Sequence, residues 1–271
     1  MSKRNSQANK AAARERLRQE RERQARKDKL RRQLVVAGTG VLVLALAGGV
    51  GYGIMQANKP SHWEAAADAK NITAPKNTEG ENGTTVVIGK PSAKKTLELY
   101  EDSRCPVCAV FEQAVGPTLD KDVEAGKYKV KYVGATFIDN AAGGEGSRNA
   151  LSALGAALDV SPEAFTAYKS ALYSKEFHPE ETEDDFGKDS YLLKVADSVP
   201  ALKGNAEFRK NVEDGTFDAW AMKMSDAFDK SGVRGTPTLM MDGKKVTAEG
   251  SQNAPMTAEQ FTAAVDKALK G

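Results

Sequence analysis

The sequence predicts an α/β domain that carries a helical insertion and follows a single membrane-spanning helix. Three observations lead there. The only two cysteines stand two residues apart, as Cys105-Pro106-Val107-Cys108, where a strand pattern gives way to a helix pattern. A second alternating run, Lys127 to Val133, follows that helix, as a βαβ unit requires. Near the other end, Leu34 to Met55 contains no charged residue.

The chain opens on a basic tail. Residues 1–33 hold 13 Lys/Arg and 4 Asp/Glu, a net of +9; with 39 basic and 37 acidic residues overall, residues 34–271 keep 26 and 33, a net of −7. From Arg14 to Lys29 the cations alternate with Glu and Gln and no aromatic intervenes, so the tail lacks a stacking platform and no nucleic-acid partner is expected. Contact with anionic inner-leaflet lipids fits better. As a helix, residues 34–55 would span about 33 Å, the thickness of a bilayer core. The run is longer than a signal-peptide core and no convincing Ala-x-Ala site follows, so an uncleaved anchor is expected. The positive flank places residues 1–33 in the cytoplasm and the rest outside the cell membrane, as a single-pass protein held by its own helix.

Residues 56–83, with Pro60, Pro75, Asn77 and Gly80, show no apolar periodicity and read as a flexible linker, with an end-to-end distance of about 30 Å. Within it, Trp63 reads as an interfacial or linker aromatic. The folded body is expected over 84–271. Thr84 to Ile88 is a short first strand, and Thr96 to Tyr100 alternates as the strand leading to the cysteines. After Lys127–Val133 about 100 residues precede Pro237, and they contain helical spacings: Leu151/Leu154/Leu158, Phe165/Tyr168/Leu172 behind the cap Ser161-Pro162, Tyr191/Val195/Val199, and Phe217/Trp220/Met224/Phe228. This predicts a helical insertion over about 140–231. Thr238 to Met241, the turn Asp242-Gly243 and Lys244 to Val246 form a hairpin, and Thr257-Ala258-Glu259-Gln260 is a capping box for a last helix facing inward with Phe261, Ala264, Val265 and Leu269.

The chemistry rests on the cysteines. Pro106 suits the first helical position, where a missing N–H costs nothing. Cys105 then lies at the helix N-terminus, where free N–H groups and the positive end of the helix dipole favour a thiolate. It is the expected attacking sulfur; Cys108, one turn inside, is the expected resolving sulfur. An inert staple would close too small a loop to constrain the unfolded chain much. His62 and His178 show no ligand spacing to the pair, so no metal is expected, and His178 beside Pro179 reads as a surface residue.

Leu99-Tyr100-Glu101-Asp102, Cys105-Pro106-Val107-Cys108, Phe111-Glu112 and, far downstream, Val233-Arg234-Gly235-Thr236-Pro237-Thr238 resemble the DsbA-like branch of the thioredoxin superfamily, especially its membrane-anchored members. The resemblance covers about residues 84–271. It implies a thioredoxin-like fold with an inserted all-helical subdomain, and a cis bond before Pro237 that turns the backbone of Thr236 toward Cys105 to pair with an extended substrate. It also places an acidic residue at Glu112. Glu112, Glu101 or Asp102, if buried, could relay a proton for Cys108. Arg104 is expected to lower the Cys105 pKa by its charge. The best-known members carry His where this chain has Val107, so the imidazolium that would stabilise the thiolate is missing.

The expected function is an extracytoplasmic thiol–disulfide oxidoreductase, needing no cofactor beyond the Cys105–Cys108 pair and donating disulfides to cysteine-containing exported proteins. A membrane redox partner would restore the pair. Val107 keeps a reductase or isomerase open, and a non-catalytic thioredoxin-fold binding module is the reading of a different class.

Overall fold

The computed structural model describes residues 62–270; the basic tail and the expected membrane span fall outside them. Among the described residues no helix is long and apolar enough to cross a membrane.

The frame is a five-stranded mixed sheet in the order β1-β3-β2-β4-β5. It comprises β1 (Val86–Ile88), β2 (Thr96–Asp102), β3 (Lys129–Ala135), β4 (Thr238–Met241) and β5 (Lys244–Lys245). β2 and β3 run parallel, with Leu97 opposite Val130 and Asp102 opposite Ala135, while β1–β3, β2–β4 and β4–β5 are antiparallel. The parallel pair demands a crossover, and α2 (Pro106–Ala125) supplies it. Gly126 ends α2 in the left-handed region at φ 79°, so that its N–H can close on Asp122 and Val123 and the chain can turn into β3. The Asp242-Gly243 hairpin turn has φ positive at both residues, 51° and 73°, the twist that two-residue hairpins favour.

Between β3 and β4 come α3 (Phe137–Ala142), α4 (Gly146–Val160), α5 (Pro162–Leu172), α6 (Asp189–Ala196), α7 (Ala206–Glu213) and α8 (Asp218–Lys230). α4 is buried along almost its whole length and forms the axis on which α5, α7 and α8 pack. α8 lies against β3, and the ring of Phe228 meets Tyr100 of β2 at 6.2 Å, so insertion and sheet share one core. On the opposite side α9 (Ala258–Lys270) covers α2, with Phe111 edge-on to Phe261 at 6.3 Å. The Thr257 hydroxyl caps α9 by accepting the Gln260 N–H at 3.2 Å, while the Gln260 side chain reaches back to the Met256 N–H at 3.0 Å, one residue before the expected position.

The flexible-linker reading fails for residues 62–83. α1 (His62–Ala67) buries Trp63 and lies on α8, where His62 Nε2 is 2.6 Å from Asp218 Oδ2 and Lys223 donates to the Ala67 carbonyl at 2.8 Å. Farther on, Lys76 donates through backbone N–H and Nζ to the two oxygens of Asp159, each at 2.9 Å, Asn77 donates to the Leu158 carbonyl at 2.8 Å, and the Trp220 indole N–H donates to the Gly83 carbonyl, also at 2.8 Å. Periodicity misses this segment because its backbone is held by donors and carboxylates at the ends of α4 and α8, not by an amphipathic face. Trp63→Ala should therefore destabilise the domain by about 3 kcal/mol in urea unfolding, through loss of a buried aromatic; a free linker would leave the midpoint unchanged.

Candidate active site

β2 ends at Asp102, and the Cys105 N–H donates to the Asp102 carbonyl at 2.9 Å, a tight turn that delivers the sulfur to the start of α2. Cys105 is the N-cap of α2, its sulfur accepting the Cys108 N–H at 3.4 Å, and Pro106 occupies the first helical position. Both cysteines are free thiols; Cys105 retains 6% of its surface and Cys108 none. The Thr236-Pro237 bond is cis, and the Thr236 carbonyl oxygen lies 3.6 Å from Cys105 Sγ.

These neighbours set the thiol chemistry. The Cys105 pKa is lowered to about 6, chiefly by hydrogen bonding from the Cys108 thiol, with Thr236 and the backbone N–H groups of Cys108 and Val107 adding to it against the opposing effect of burial. Burial drives Cys108 the other way, well above the ordinary thiol value, and the charge of Glu101 adds to that. The pair thus divides into a sulfur favoured as thiolate at neutral pH and a buried one held as thiol.

Arg104 does not supply the positive charge expected of it. Its side chain turns inward and is buried, with Nη1 2.9 Å from Asp139 Oδ1, 2.6 Å from the Gly143 carbonyl and 3.2 Å from Asp184 Oδ1, and with Nη2 2.9 Å from the Glu181 carbonyl. Held through both terminal nitrogens, while its Nε is buried without a partner, the guanidinium is a clamp between the cysteine loop and two loops of the insertion. Asp102 secures the same loop from below: it accepts the Arg104 N–H at 3.0 Å, the Ser147 hydroxyl at 2.6 Å and the Ile138 N–H at 3.2 Å.

Of the three carboxylates considered as proton relays, burial raises both Asp102, to about 6, and Glu101, but only Glu101 keeps a buried oxygen without a protein partner. Glu112 is buried and engaged, 2.5 Å from Lys169 Nζ and 2.5 Å from the Ser170 hydroxyl. Gly116, one turn on, leaves room for this: a Cβ there would stand 2.9 Å from the Glu112 carboxyl carbon. Glu101 meets Lys169 through one oxygen at 3.2 Å, while its other oxygen, Oε1, is buried without a protein partner. Burial raises Glu101 to about 7, with Lys169 opposing and Glu112 and Cys105 reinforcing the rise. A cavity of about 30 Å³, lined by Glu101, Lys169, Tyr132 and Tyr173 among others, adjoins it and is large enough for one water. For Lys169 itself burial opposes the charge, yet Glu101 and Glu112 outweigh it and hold the ammonium above the ordinary lysine range.

Lys169 and Tyr173 are the site residues that sequence reasoning missed. Lys169 is a charge on the apolar face of α5, on the same stripe as Phe165 and Leu172, and that was its one available signal. Tyr173 packs beside both cysteines and donates its hydroxyl to the Asp102 carbonyl at 3.0 Å. His178, expected at the surface, is half-buried between the rings of Tyr173 and Phe186, and burial lowers its pKa.

Around the sulfur the surface is apolar. Val107 is 49% exposed and Val110 55%, the large hydrophobic residues most open to solvent among those described, and with Pro106, Ala114 and Pro117 they form a stripe down the outer face of α2. On the other side of Cys105 a groove of about 500 Å³ runs from Val107 along the Thr236-Pro237 loop and the β4–β5 hairpin.

The thiol values give a direct check. Iodoacetamide labelling of the reduced protein should titrate with a midpoint near pH 6 and fall on Cys105, with Cys108 silent in the folded state. Because the folded value lies below the unfolded one, the thiolate contributes stability to the reduced fold that is complete above the ordinary thiol range and is lost as pH falls through about 6.

The thioredoxin family model matches residues 81–267. The chain is 26% identical over 186 residues to disulfide bond formation protein D of Bacillus subtilis, covering 68% of this chain and 77% of that protein. Among solved structures, oxidised BdbD from Bacillus subtilis aligns with a TM-score of 0.56 at 26% identity, over 74% of this chain and 100% of that one. Oxidised DsbA of Mycobacterium tuberculosis aligns with a TM-score of 0.53 at 25% identity, over 69% and 98%. The chain belongs to the thioredoxin family.

Proposed function

We propose that this member of the thioredoxin family is a thiol–disulfide oxidoreductase of the DsbA type, and that it works as a disulfide donor to cysteine-containing exported proteins. The observation that carries the reading is the division of the cysteine pair, with Cys105 lowered to about 6 beside the Thr236 carbonyl and Cys108 sealed beneath it. A stabilised Cys105 thiolate favours the reduced form, which makes the disulfide form the stronger oxidant. A value near 6 stands between those of thioredoxin, about 7, and DsbA, about 3.5. Donation also needs a compartment in which disulfides persist. The uncharged run 34–55 behind a basic tail supports an anchored domain outside the cytoplasmic membrane, and a membrane redox partner would reoxidise the pair.

In the donor direction a client thiolate attacks Cys105 Sγ of the Cys105–Cys108 disulfide. The S–S bond breaks, a client–Cys105 mixed disulfide forms, and Cys108 leaves as a thiolate that takes the proton held by Glu101. The client's second thiolate then attacks its own sulfur in the mixed disulfide and expels Cys105 as a stabilised thiolate. Two electrons have passed from the client dithiol to the enzyme; one client proton is replaced on Glu101 through the buried cavity, the other is released to water. Throughout, an extended client segment lies along the Thr236-Pro237 loop, with Val107 and Val110 offering apolar contact.

Two measurements test this. Equilibration against glutathione should place the Cys105–Cys108 couple between about −270 and −120 mV, and the oxidised protein should introduce disulfides into a reduced, unfolded client. A potential at or below about −270 mV would make the protein a reductant, and no exchange at all would leave a binding module. Glu101→Gln should slow the step that breaks or re-forms the Cys108 bond by about 100-fold and abolish that step's titration near pH 7, while leaving Cys105 labelling near pH 6.

A further inference from the structure

The groove beside Cys105 has a charge opposite to that of the body around it. Residues 34–271 carry a net of −7, yet the groove lining contains two cations, Arg234 and Lys245, and no carboxylate. The remaining groups along its length, such as Thr236, Gln252 and Met256, are neutral. Arg234 and Lys245 are both exposed, and among the described residues neither side chain enters an ion pair. The acidic residue nearest Lys245 in sequence, Asp242 in the β4–β5 turn, is already engaged by Lys95.

Position gives these cations a use. Arg234 stands two residues before Thr236, whose carbonyl oxygen is 3.6 Å from the attacking sulfur. A client lying extended along this loop advances about 3.3 Å per residue, so its side chains two or three positions from the reacting cysteine come level with Arg234. Lys245 pairs with Met240 across the hairpin and extends the positive rim farther along the same groove.

We infer that the groove selects client segments whose cysteine is closely flanked by Asp or Glu. The inference rests on the oxidoreductase reading and adds to it a substrate class. An acidic flank is drawn in and held by Arg234 and Lys245; a basic flank is repelled by both, with no carboxylate in the lining to offset it. The Val107 end remains apolar, so the preferred segment pairs an aliphatic side chain on the α2 side of its cysteine with acidic ones on the hairpin side. Because both cations sit at a solvent-facing rim, the preference acts mainly on capture and weakens as salt rises.

The test uses the full-length protein in its disulfide form and three dithiol peptides of one sequence, differing only in whether Glu, Ser or Lys flanks the cysteines. At about 10 mM NaCl the Glu peptide should be oxidised with a kcat/KM about fivefold above that of the Lys peptide, with Ser between, and the ratio should approach one at about 500 mM. Arg234→Glu combined with Lys245→Glu should invert the order. Equal rates for all three peptides, or a preference that salt does not touch, would overturn the inference while leaving the oxidoreductase reading intact. Failure to oxidise any of the three, the neutral Ser peptide included, would overturn the reading on which it rests.

Discussion

The Lys169 ammonium, buried between Glu101 and Glu112, is the interaction on which the arrangement beneath the cysteines depends. It joins three elements: Glu101 from β2, Glu112 from α2 and Lys169 from α5. Its Nζ also lies 5.4 Å from the ring centres of Tyr132 and Tyr173, so its surroundings are aromatic where they are not ionic. Three charges out of water are costly unless each is paired, and one ammonium cannot fully satisfy two carboxylates. Glu112 has the closer contact and the Ser170 hydroxyl as well; Glu101 is left with one oxygen unpartnered. That inequality, with burial, leaves a carboxyl group raised to about 7 and near enough to both cysteines for their charges to interact.

The same cluster fixes the helical insertion to the sheet, and a second set of contacts does so from the other side of the cysteine loop. Arg104 reaches carbonyls of two insertion loops and the carboxylates Asp139 and Asp184, while Asp139 itself accepts the Ser147 N–H at 2.8 Å and the Arg148 N–H at 3.0 Å at the start of α4. Asp184 closes the set by accepting the N–H groups of Glu145 and Gly146 at 2.9 and 2.8 Å. The residue before Cys105 thus anchors the cysteine loop, its charge paired with Asp139 and Asp184. Thiolate stabilisation comes from shorter-range sources at the helix start and at Thr236, which is why an uncharged Val107 is compatible with a lowered pKa.

Much of the fold was legible because it is written in local patterns. The alternation of Thr96–Tyr100 and Lys127–Val133 gave the parallel pair, Asp242-Gly243 gave the hairpin turn, and the 3.6-residue spacing of Phe217, Trp220, Met224 and Phe228 gave α8. The segment 62–83 escapes such patterns because side chains distant in sequence hold it, with Trp63 and Trp220 as anchors. The course of Arg104 is hidden for a related reason: adjacency to Cys105 along the chain says nothing of which way a side chain turns.

The sequence by itself determined the exchange chemistry, since two cysteines flanking a proline at a helix start constrain the sulfur whatever surrounds them. Only the tertiary structure decided which acid lies buried near them and which cations line the groove beside them. Lys169 is 57 residues from Glu112 and 68 from Glu101, and Thr236 approaches Cys105 only once β4 is laid beside β2. Proton affinity inside a protein is set by desolvation and by charges a few ångströms away, and those distances exist only after the chain has folded.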